Sequence, residues 1–272
     1  MVPTLTATPA PTGRAAASPV RLRGVTRSFP TSTGLHHVLA GIDLDIAAGE
    51  IVALIGASGC GKSTLLRQIC GLDTADAGEL LIGSDPVRPV DQRCAMAFQE
   101  PRLLPWRNLA ENVALGLPPG TPAAAGRARV GELLHLVGLG EYADRLPRQV
   151  SGGMAQRTSL ARALARNPEV LLLDEPFGAL DALTRLNMQD LLLDVHAAEP
   201  TTVVLVTHDV DEALYLADRV ALVGTDRPGG GADIRSAITV PGSRPRDRGD
   251  AELAALKVQL LEGLGVHAQH RR

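Results

Sequence analysis

The sequence of 272 residues predicts an α/β fold with a mostly parallel core sheet, an antiparallel β flank and an inserted helical subdomain. Continuous aliphatic runs at residues 51–55, 170–173 and 202–206 indicate strands that are buried on both faces. Each of the last two runs follows a segment with helical spacing, which is typical of parallel strands joined by crossover helices. Two earlier segments, 21–25 and 42–46, predict the flank, since apolar and polar residues alternate in the second.

Helical spacing dominates about 100 residues between the first two buried strands and predicts a helical subdomain at about residues 100–168. The first strand is followed by a glycine-rich turn and a predicted helix at residues 62–70. An amphipathic helix is predicted for AELAALKVQLLEGL. We therefore expect a flexible tail (1–19), a main domain (20–240) and a C-terminal helical extension (241–272).

Composition argues against several classes of partner. A net charge of -3 leaves no basic excess for a phosphate backbone, and aromatic residues form only 2% of the chain, so nucleic acid is not expected as a partner. The three cysteines are an odd number without paired spacing, which fits reduced thiols in a cytosol. The first residues lack a continuous apolar run, so they read as a tail rather than a signal peptide. No stretch approaches the roughly 18 apolar residues of a membrane span, so a membrane role is expected to come through a partner.

The segment GASGCGKST matches the phosphate-binding pattern G-x-x-x-x-G-K-[ST] between a strand and a helix. Glycines let backbone N–H groups turn inward around phosphate oxygens, and the helix N-terminus adds partial positive charge. Lys62 supplies a cation for the β- and γ-phosphates, and Ser63 is a candidate Mg²⁺ ligand. The motif predicts ATP and Mg²⁺ as ligands. The nucleotide-binding residues predicted from it are Gly56, Ala57, Ser58, Gly59, Cys60, Gly61, Lys62, Ser63 and Thr64.

Two carboxylates, Asp174 and Glu175, follow the second buried strand and are expected at the carboxyl edge of the parallel sheet. Asp174 is the predicted Mg²⁺ contact. Glu175 is predicted to polarise the water that attacks the γ-phosphate. A simple helix-capping turn is the competing interpretation, and the upstream phosphate loop favours the catalytic one.

The segment SGGMAQR begins a predicted helix with Ser151, Gly152 and Gly153. A serine N-cap explains it locally. Its position before VLLLDEP, however, makes the chain resemble the ABC ATPase family, and therefore the P-loop NTPase fold. The resemblance implies that these three residues face the γ-phosphate of ATP held by a second copy of the chain, which makes an ATP-dependent homodimer.

The resemblance extends to further positions. It implies that Gln99 is the Q-loop glutamine, contacting Mg²⁺ and linking the site to the membrane partner. Asp181, in GALD, matches the D-loop at the dimer interface. His208 matches the switch histidine, which contacts the γ-phosphate and orients Glu175. Phe29 matches the aromatic residue that stacks on adenine, with a core phenylalanine as the alternative.

The signature segment departs from the family pattern at three positions. Val150 replaces the usual leucine, Met154 the usual glutamine, and Ala155 a common basic residue. None of these changes removes a phosphate donor. The substitution at Ala155 is the one expected to alter packing or charge at the dimer face.

A loop with exposed apolar residues, Leu103, Leu104 and Trp106, follows Gln99 and predicts a groove for a partner helix. Together with GALDALTRLNMQDLL, it resembles ATPases of the nitrate, sulfonate and taurine importers, and most of all the aliphatic sulfonate ones. This resemblance implies two permease subunits as partners and, indirectly, a periplasmic or lipid-anchored solute-binding protein. The chain would then lie on the cytoplasmic face of the inner membrane.

Three alternatives remain open from the sequence. A taurine or nitrate importer would use the same motor. A soluble ABC-type ATPase acting on nucleic acid predicts a coiled-coil insertion, a second cassette or basic arms, and the sequence contains none of them. A small-molecule kinase would leave Gln99, Asp181 and His208 unexplained.

Overall fold

The computed structural model describes residues 15–32, 34–225 and 229–265. Over these residues the strands form one ten-stranded mixed sheet in the order β5-β4-β1-β2-β10-β9-β3-β8-β7-β6. The strands are β1 (Val20–Thr31), β2 (Gly34–Ile46), β3 (Ile51–Ile55), β4 (Ala77–Ile82), β5 (Asp85–Pro86), β6 (Cys94–Phe98), β7 (Val170–Asp174), β8 (Thr202–Val206), β9 (Arg219–Gly224) and β10 (Gly230–Thr239). The α-helices are α1 (Lys62–Ile69), α2 (Leu109–Ala114), α3 (Ala123–Leu136), α4 (Gly152–Ala165), α5 (Ala182–Ala198), α6 (Val210–Leu216) and α7 (Ala251–Gly263).

The parallel part of the sheet consists of β9, β3, β8, β7 and β6. The strands β3 and β8 are buried along their whole length, and so are the first four residues of β7, because helices pack on one face and α1 with the flank strands packs on the other. The antiparallel flank is built from β1, β2, β4 and β5. The predicted α/β class, parallel core and flank are confirmed.

Several strands were not predicted or were predicted too short. The flank segments expected at 21–25 and 42–46 extend into the longer strands β1 and β2. The stretch described as mostly helical also contains β4, β5 and β6. The first four residues of β6, CAMA, are small or sulfur-containing rather than β-branched, so strand propensity did not reveal it.

The helices α2, α3 and α4 pack on one another in the segment predicted to be a helical subdomain. Helix α2 begins with a capping box, in which Asn108 accepts from the amide of Glu111 while the Glu111 side chain accepts from the amide of Asn108. Buried Asn112 holds the preceding loop through hydrogen bonds to the backbone of Leu104 and the carbonyl of Arg107. This arrangement fixes the loop that carries Trp106.

Both ends of the described chain pack on the main domain. Leu253 and Leu260 of α7 are buried in the same apolar cluster as β3 and β8. At the other end, the carbonyl of Ser18 accepts from Thr202 Oγ1 at 2.6 Å, and Ala15 donates to Asn167 at 3.2 Å. Most of the tail predicted at 1–19 lies outside the described residues. Within the described ranges, no helix combines the length and apolarity that a bilayer crossing requires.

Candidate active site

The predicted site residues meet where the parallel strands end. Strand pairing aligns Leu54 of β3 with Val206 of β8, Val206 with Asp174 of β7, and Asp174 with Phe98 of β6. Because neighbouring parallel strands end at one edge of a sheet, the segments that follow these residues converge there. The geometry therefore brings together the phosphate-loop motif, the two carboxylates, the histidine and Gln99.

Two positions of the loop between β3 and α1 require glycine, because neighbouring parts of the chain leave no room there for a Cβ atom. A Cβ on Gly56 would lie 2.1 Å from the carbonyl oxygen of Val223. Gly61 has φ 96°, and a Cβ there would lie 2.8 Å from Val38 and Leu39 side-chain carbons. Between these anchors, Ala57, Ser58 and Gly59 are exposed at the protein surface. The loop is thus held at both ends while its middle stays open to a ligand.

The side chain of Lys62 folds into this loop. It is only 6% exposed, and Nζ donates to the carbonyls of Gly56 at 2.8 Å and Ala57 at 2.9 Å. The Cys60 thiol lies 3.6 Å from the same nitrogen. Among the described residues no carboxylate pairs with this ammonium group. A buried cation held only by neutral groups fits an anionic ligand in the loop.

The start of α1 also fits an anion. Its N-cap residue, Gly61, has no side chain, so in the described structure no capping side chain accepts from the first-turn amides. These N–H groups carry the partial positive charge of the helix end. Thr64 lies in this first turn and is partly buried. The loop geometry and the helix terminus together fit the phosphate chain of a nucleotide.

The oxygens of Ser63 and Asp174 lie side by side, with Ser63 Oγ donating to Asp174 Oδ1 at 2.9 Å. A hydroxyl and a carboxylate are hard oxygen ligands of the type that Mg²⁺ prefers, and this cation usually keeps phosphate and water oxygens as its other ligands. Over the described residues no cluster of three or more His, Cys, Asp or Glu side chains could hold a metal by itself. The residues present therefore fit a Mg²⁺ ion that arrives with a nucleotide.

The backbone of Glu175 adopts the left-handed conformation, with φ 48°, which is unusual for a residue with a side chain. Two hydrogen bonds hold it there: its amide donates to Val206 at 2.9 Å, and its carbonyl accepts from Gly178 at 3.2 Å. Residues with a sparsely populated backbone conformation of this kind cluster at functional sites. His208 Nδ1 lies 3.4 Å from Glu175 Oε2, so the proposed base and its partner histidine are in contact.

Gln99 follows β6 directly and lies at the same sheet edge. Its side-chain nitrogen is 3.0 Å from the position that a Cβ on Gly178 would occupy. Gln156, a buried residue of α4, donates to the carbonyl of Phe98 at 2.9 Å and so holds the end of β6. Gln99 therefore lies beside Gly178, in the turn that leads from Glu175 to Asp181.

The residues assigned to a second chain's site form a separate surface cluster. Ser151 caps α4 and accepts from the amide of Met154 at 3.3 Å, while Gly152 faces open space. Asp181 caps α5 and accepts from the amide of Thr184 at 3.0 Å and from its hydroxyl at 2.7 Å, and these bonds lower its pKa. A Cβ on Gly153 would lie 2.6 Å from the Thr184 methyl, so the two helix starts are adjacent.

The predicted adenine-stacking residue, Phe29, is 37% exposed on β1. The guanidinium of Arg27 lies 4.4 Å from the centroid of its ring. Phe29 pairs with His36 of β2, two residues from Val38, which packs beside Gly61 of the phosphate loop. The ring is therefore on the strand pair that flanks the loop and is not a core residue.

The sequence predicts three exposed apolar residues in the loop after Gln99, but only one of them is exposed in the structure. Trp106 is 72% exposed, but Leu103 packs against the core and Leu104 is half-buried. Arg162 of α4 supports the loop by donating to the carbonyls of Pro101 at 2.7 Å and Arg102 at 2.8 Å. Only the tryptophan is presented as a large apolar surface.

Sequence reasoning missed the polar residues behind His208. Thr207 and Glu212 are buried beside the turn, and Gln189 of α5 donates to Glu212 at 3.1 Å. Burial raises the pKa of Glu212 to about 7. A glutamate at an inward position of a short apolar helix was the available signal, but its partners are distant in sequence.

Comparison with known proteins agrees with this geometry. The profile of the ABC transporter family matches residues 39–178. The aliphatic sulfonates import ATP-binding protein of Xanthomonas axonopodis pv. citri is 52% identical over 87% of this chain and 93% of its own length. The protein with the same description from Mesorhizobium japonicum is 49% identical over 89% of this chain and 87% of its own length.

Solved structures show the same fold. The ATP-binding cassette MJ0796, in a dimeric post-hydrolysis state bound to ADP and Pi, is 31% identical to this chain with a TM-score of 0.67. The alignment covers 82% of this chain and all of that one. A second dimeric structure of the same cassette has a TM-score of 0.68. On the family profile and on relatives that match most of its length, the chain belongs to the ABC transporter family.

Proposed function

We propose that this chain is the ATP-hydrolysing subunit of an ABC importer and energises the uptake of aliphatic sulfonates through a separate permease. The observation that carries the sulfonate assignment is the similarity, 46–52% identity, to import ATP-binding proteins described for these solutes. The hydrolytic role is supported by the convergence of a phosphate loop, two carboxylates and a histidine at one sheet edge. A taurine or nitrate importer would employ the same motor.

For phosphoryl transfer, some residues of the site would bind the phosphates and Mg²⁺, and others would activate the attacking water. The loop from Gly56 to Thr64 holds the phosphates, and Lys62 exchanges its two carbonyl contacts for β- and γ-phosphate oxygens. Ser63, Asp174 and Gln99 would hold Mg²⁺, which when bound neutralises phosphate charge. Glu175 then accepts a hydrogen bond from the attacking water, and His208 keeps that carboxylate in place.

The second cluster completes the site of another copy. Ser151, Gly152 and Gly153 present a helix N-terminus at the surface, where it suits the γ-phosphate of a facing chain. Asp181 would lie along the same interface. Exposed Leu183, in the first turn of α5, gives the surface an apolar contact that a partner copy would cover. Each dimer would thus contain two shared ATP sites.

The membrane partners would be two permease subunits, with a periplasmic or lipid-anchored solute-binding protein acting through them. Exposed Trp106, on the loop after Gln99, is the surface we assign to the permease. In this arrangement the chain would lie peripherally on the cytoplasmic face of the inner membrane. The ATPase would therefore meet the permease but never the solute.

Two variants test the hydrolytic site. Lys62→Ala should abolish most ATP binding because it removes the cation nearest the phosphates, whereas Glu175→Gln should bind ATP but hydrolyse it very slowly. ATP binding by titration, steady-state turnover and size measurement with ATP distinguish these outcomes. Unchanged nucleotide affinity in the first variant, or unchanged turnover in the second, would contradict the assignment.

A mixture of variants tests the shared site. Ser151→Arg and Lys62→Ala each damage a different half, so a mixed dimer keeps one intact composite site. ATP-dependent dimerisation should return on mixing. If no ratio of the two chains restores it, the sites are not shared.

Growth tests the solute. A strain lacking this gene should fail on an alkanesulfonate as sole sulfur source and grow on sulfate. Taurine as sulfur source and nitrate as nitrogen source are tested in parallel. Normal growth on alkanesulfonate with failure on taurine or nitrate would reassign the solute but not the motor.

A further inference from the structure

One hydroxyl holds the turn that carries His208. Thr207 is buried, and its amide donates to the carbonyl of Leu54 at 3.2 Å, which ties it to the end of β3. The amide of Asp209 donates to Thr207 Oγ1 at 3.0 Å. His208 therefore lies between Thr207 and Asp209, which this hydrogen bond joins. Its own side chain is 60% exposed, so the backbone turn decides where the imidazole lies.

A buried glutamate, Glu212, also binds Asp209. Glu212, in the first turn of α6, is 4% exposed, and its amide donates to Asp209 Oδ1 at 3.2 Å. Its Oε2 also accepts from Gln189 Nε2 at 3.1 Å. Asp209 therefore joins Thr207 to the start of α6, and the Glu212 carboxyl group ties that start to α5.

Arg248 orients the far end of this chain of hydrogen bonds. Its Nη1 donates to Gln189 Oε1 at 2.7 Å, across 59 residues of sequence. A guanidinium group only donates, so the carbonyl oxygen of Gln189 must face it, and the amide NH₂ must face Glu212. Arg248 also donates to Asp190 at 3.0 Å and lies 3.5 Å from the ring centroid of Tyr215. These contacts leave it one well-defined position.

The segment that supplies Arg248 is itself anchored. The nearby guanidinium of Arg246 is almost fully buried. It donates to four carbonyls, two of which belong to Leu214 and Tyr215 at the end of α6. The other two belong to Val240 and Pro241. The segment before α7 is therefore a rigid support for Arg248.

We propose that Arg248, Gln189, Glu212, Asp209 and Thr207 form a positioning network that holds His208 against Glu175. This inference rests on the proposed function, because it needs His208 to act in hydrolysis. The segment before α7 thereby contributes to turnover through its hydrogen bonds to α5 and α6. The network would act on the rate of hydrolysis and not on ATP binding, since the loop from Gly56 to Thr64 is held by other contacts.

The experiment compares single variants with the same variants in a His208→Ala background. Thr207→Val keeps the shape but removes the hydroxyl, whereas Thr207→Ser keeps the hydroxyl as the conservative rescue. Arg248→Ala removes the far end. Lys257→Ala is the matched control, because its exposed ion pair with Asp211 joins α7 to α6 outside the network. The full chain is used, with kcat and KM for ATP measured at one pH and folding checked by thermal unfolding.

Thr207→Val should lower kcat about tenfold with little change in KM, since misplacing a catalytic group by a fraction of an ångström has an effect of this order. Arg248→Ala should lower kcat about threefold in the same manner. Thr207→Ser and Lys257→Ala should resemble the parent. In the His208→Ala background, neither network variant should reduce kcat further, because the residue through which they act is gone.

An equal loss of kcat in both backgrounds would show that the network supports the fold and not His208, and would overturn this inference alone. The same conclusion would follow if His208→Ala slows turnover but Thr207→Val and Arg248→Ala do not. If His208→Ala itself leaves turnover unchanged, the proposed role of the histidine fails, and the network's role fails with it. If Thr207→Val does not fold, the Arg248→Ala comparison alone decides.

Discussion

The buried carboxyl group of Glu212 should make the protein less stable as pH rises. Desolvation by burial is the largest cause that raises its pKa to about 7 from the ordinary 4.5, and the nearby Asp209 charge adds to it. The nearby Thr207 hydroxyl, the hydrogen bond from Gln189 and the charge of Arg185 act in the opposite direction but do not cancel it. The folded state therefore holds a proton that the unfolded chain releases at lower pH.

The sign and size of this pH effect on stability follow from the difference between the pKa values of Glu212 in the folded and unfolded states. Because the pKa is higher in the folded state, the stabilisation is complete below pH 4.5 and is lost as pH rises through about 7. At roughly 1.4 kcal/mol per pKa unit, this interval corresponds to about 3 kcal/mol of unfolding free energy. Glutamine is nearly isosteric and cannot ionise, so Glu212→Gln should remove this loss.

Urea unfolding of the parent and of Glu212→Gln at pH 5 and pH 8 measures the difference. Relative to the parent, the variant should gain up to about 3 kcal/mol between these two pH values. Glu262→Gln, at an exposed position of α7, is the matched control and should follow the parent. Parallel pH dependence of the parent and Glu212→Gln would refute the assignment of a proton to this site.

Three other changes have distinct expected results. Gly56→Ala should abolish ATP binding, measured by titration, because its Cβ would overlap the Val223 carbonyl at 2.1 Å; normal affinity would contradict this. Arg129→Ala removes two hydrogen bonds, of 2.6 and 2.7 Å, from the buried side chain of Glu199 and should cost about 3–5 kcal/mol in urea unfolding, more than Arg129→Lys. Trp106→Glu should abolish growth on alkanesulfonate while the purified subunit keeps its ATPase activity; loss of ATP binding would contradict the assignment of Trp106 to the permease surface.

Local sequence was sufficient to predict those features that are formed by one short, continuous segment of the chain. The loop from Gly56 to Thr64 could be predicted because consecutive backbone groups and one lysine create the phosphate cradle. The strands β3 and β8 could be predicted because each is a continuous aliphatic run, whereas β4 and β10 carry exposed and polar residues that give no such signal. The family resemblance supplied Gln99 and His208, whose neighbours alone would not have identified them.

The loop after Gln99 shows that local sequence patterns do not predict which of its apolar side chains are buried. Leu103 and Trp106 are both large and apolar, yet one packs on the core and the other is exposed. Buried Asn112 makes this difference by holding the loop backbone through Leu104. Side-chain type could not decide it, because the deciding hydrogen bonds come from a helix that follows the loop.

The sequence by itself determined the fold class, the phosphate loop and the family, because each depends on consecutive residues or on their order along the chain. The tertiary structure alone decided which polar groups support the histidine. Arg248 and Gln189 are 59 residues apart, and Gln189 and Glu212 are 23 apart. Buried polar groups take the partners that packing brings to them, so such a network becomes visible only when helices α5 and α6 and the C-terminal segment lie together.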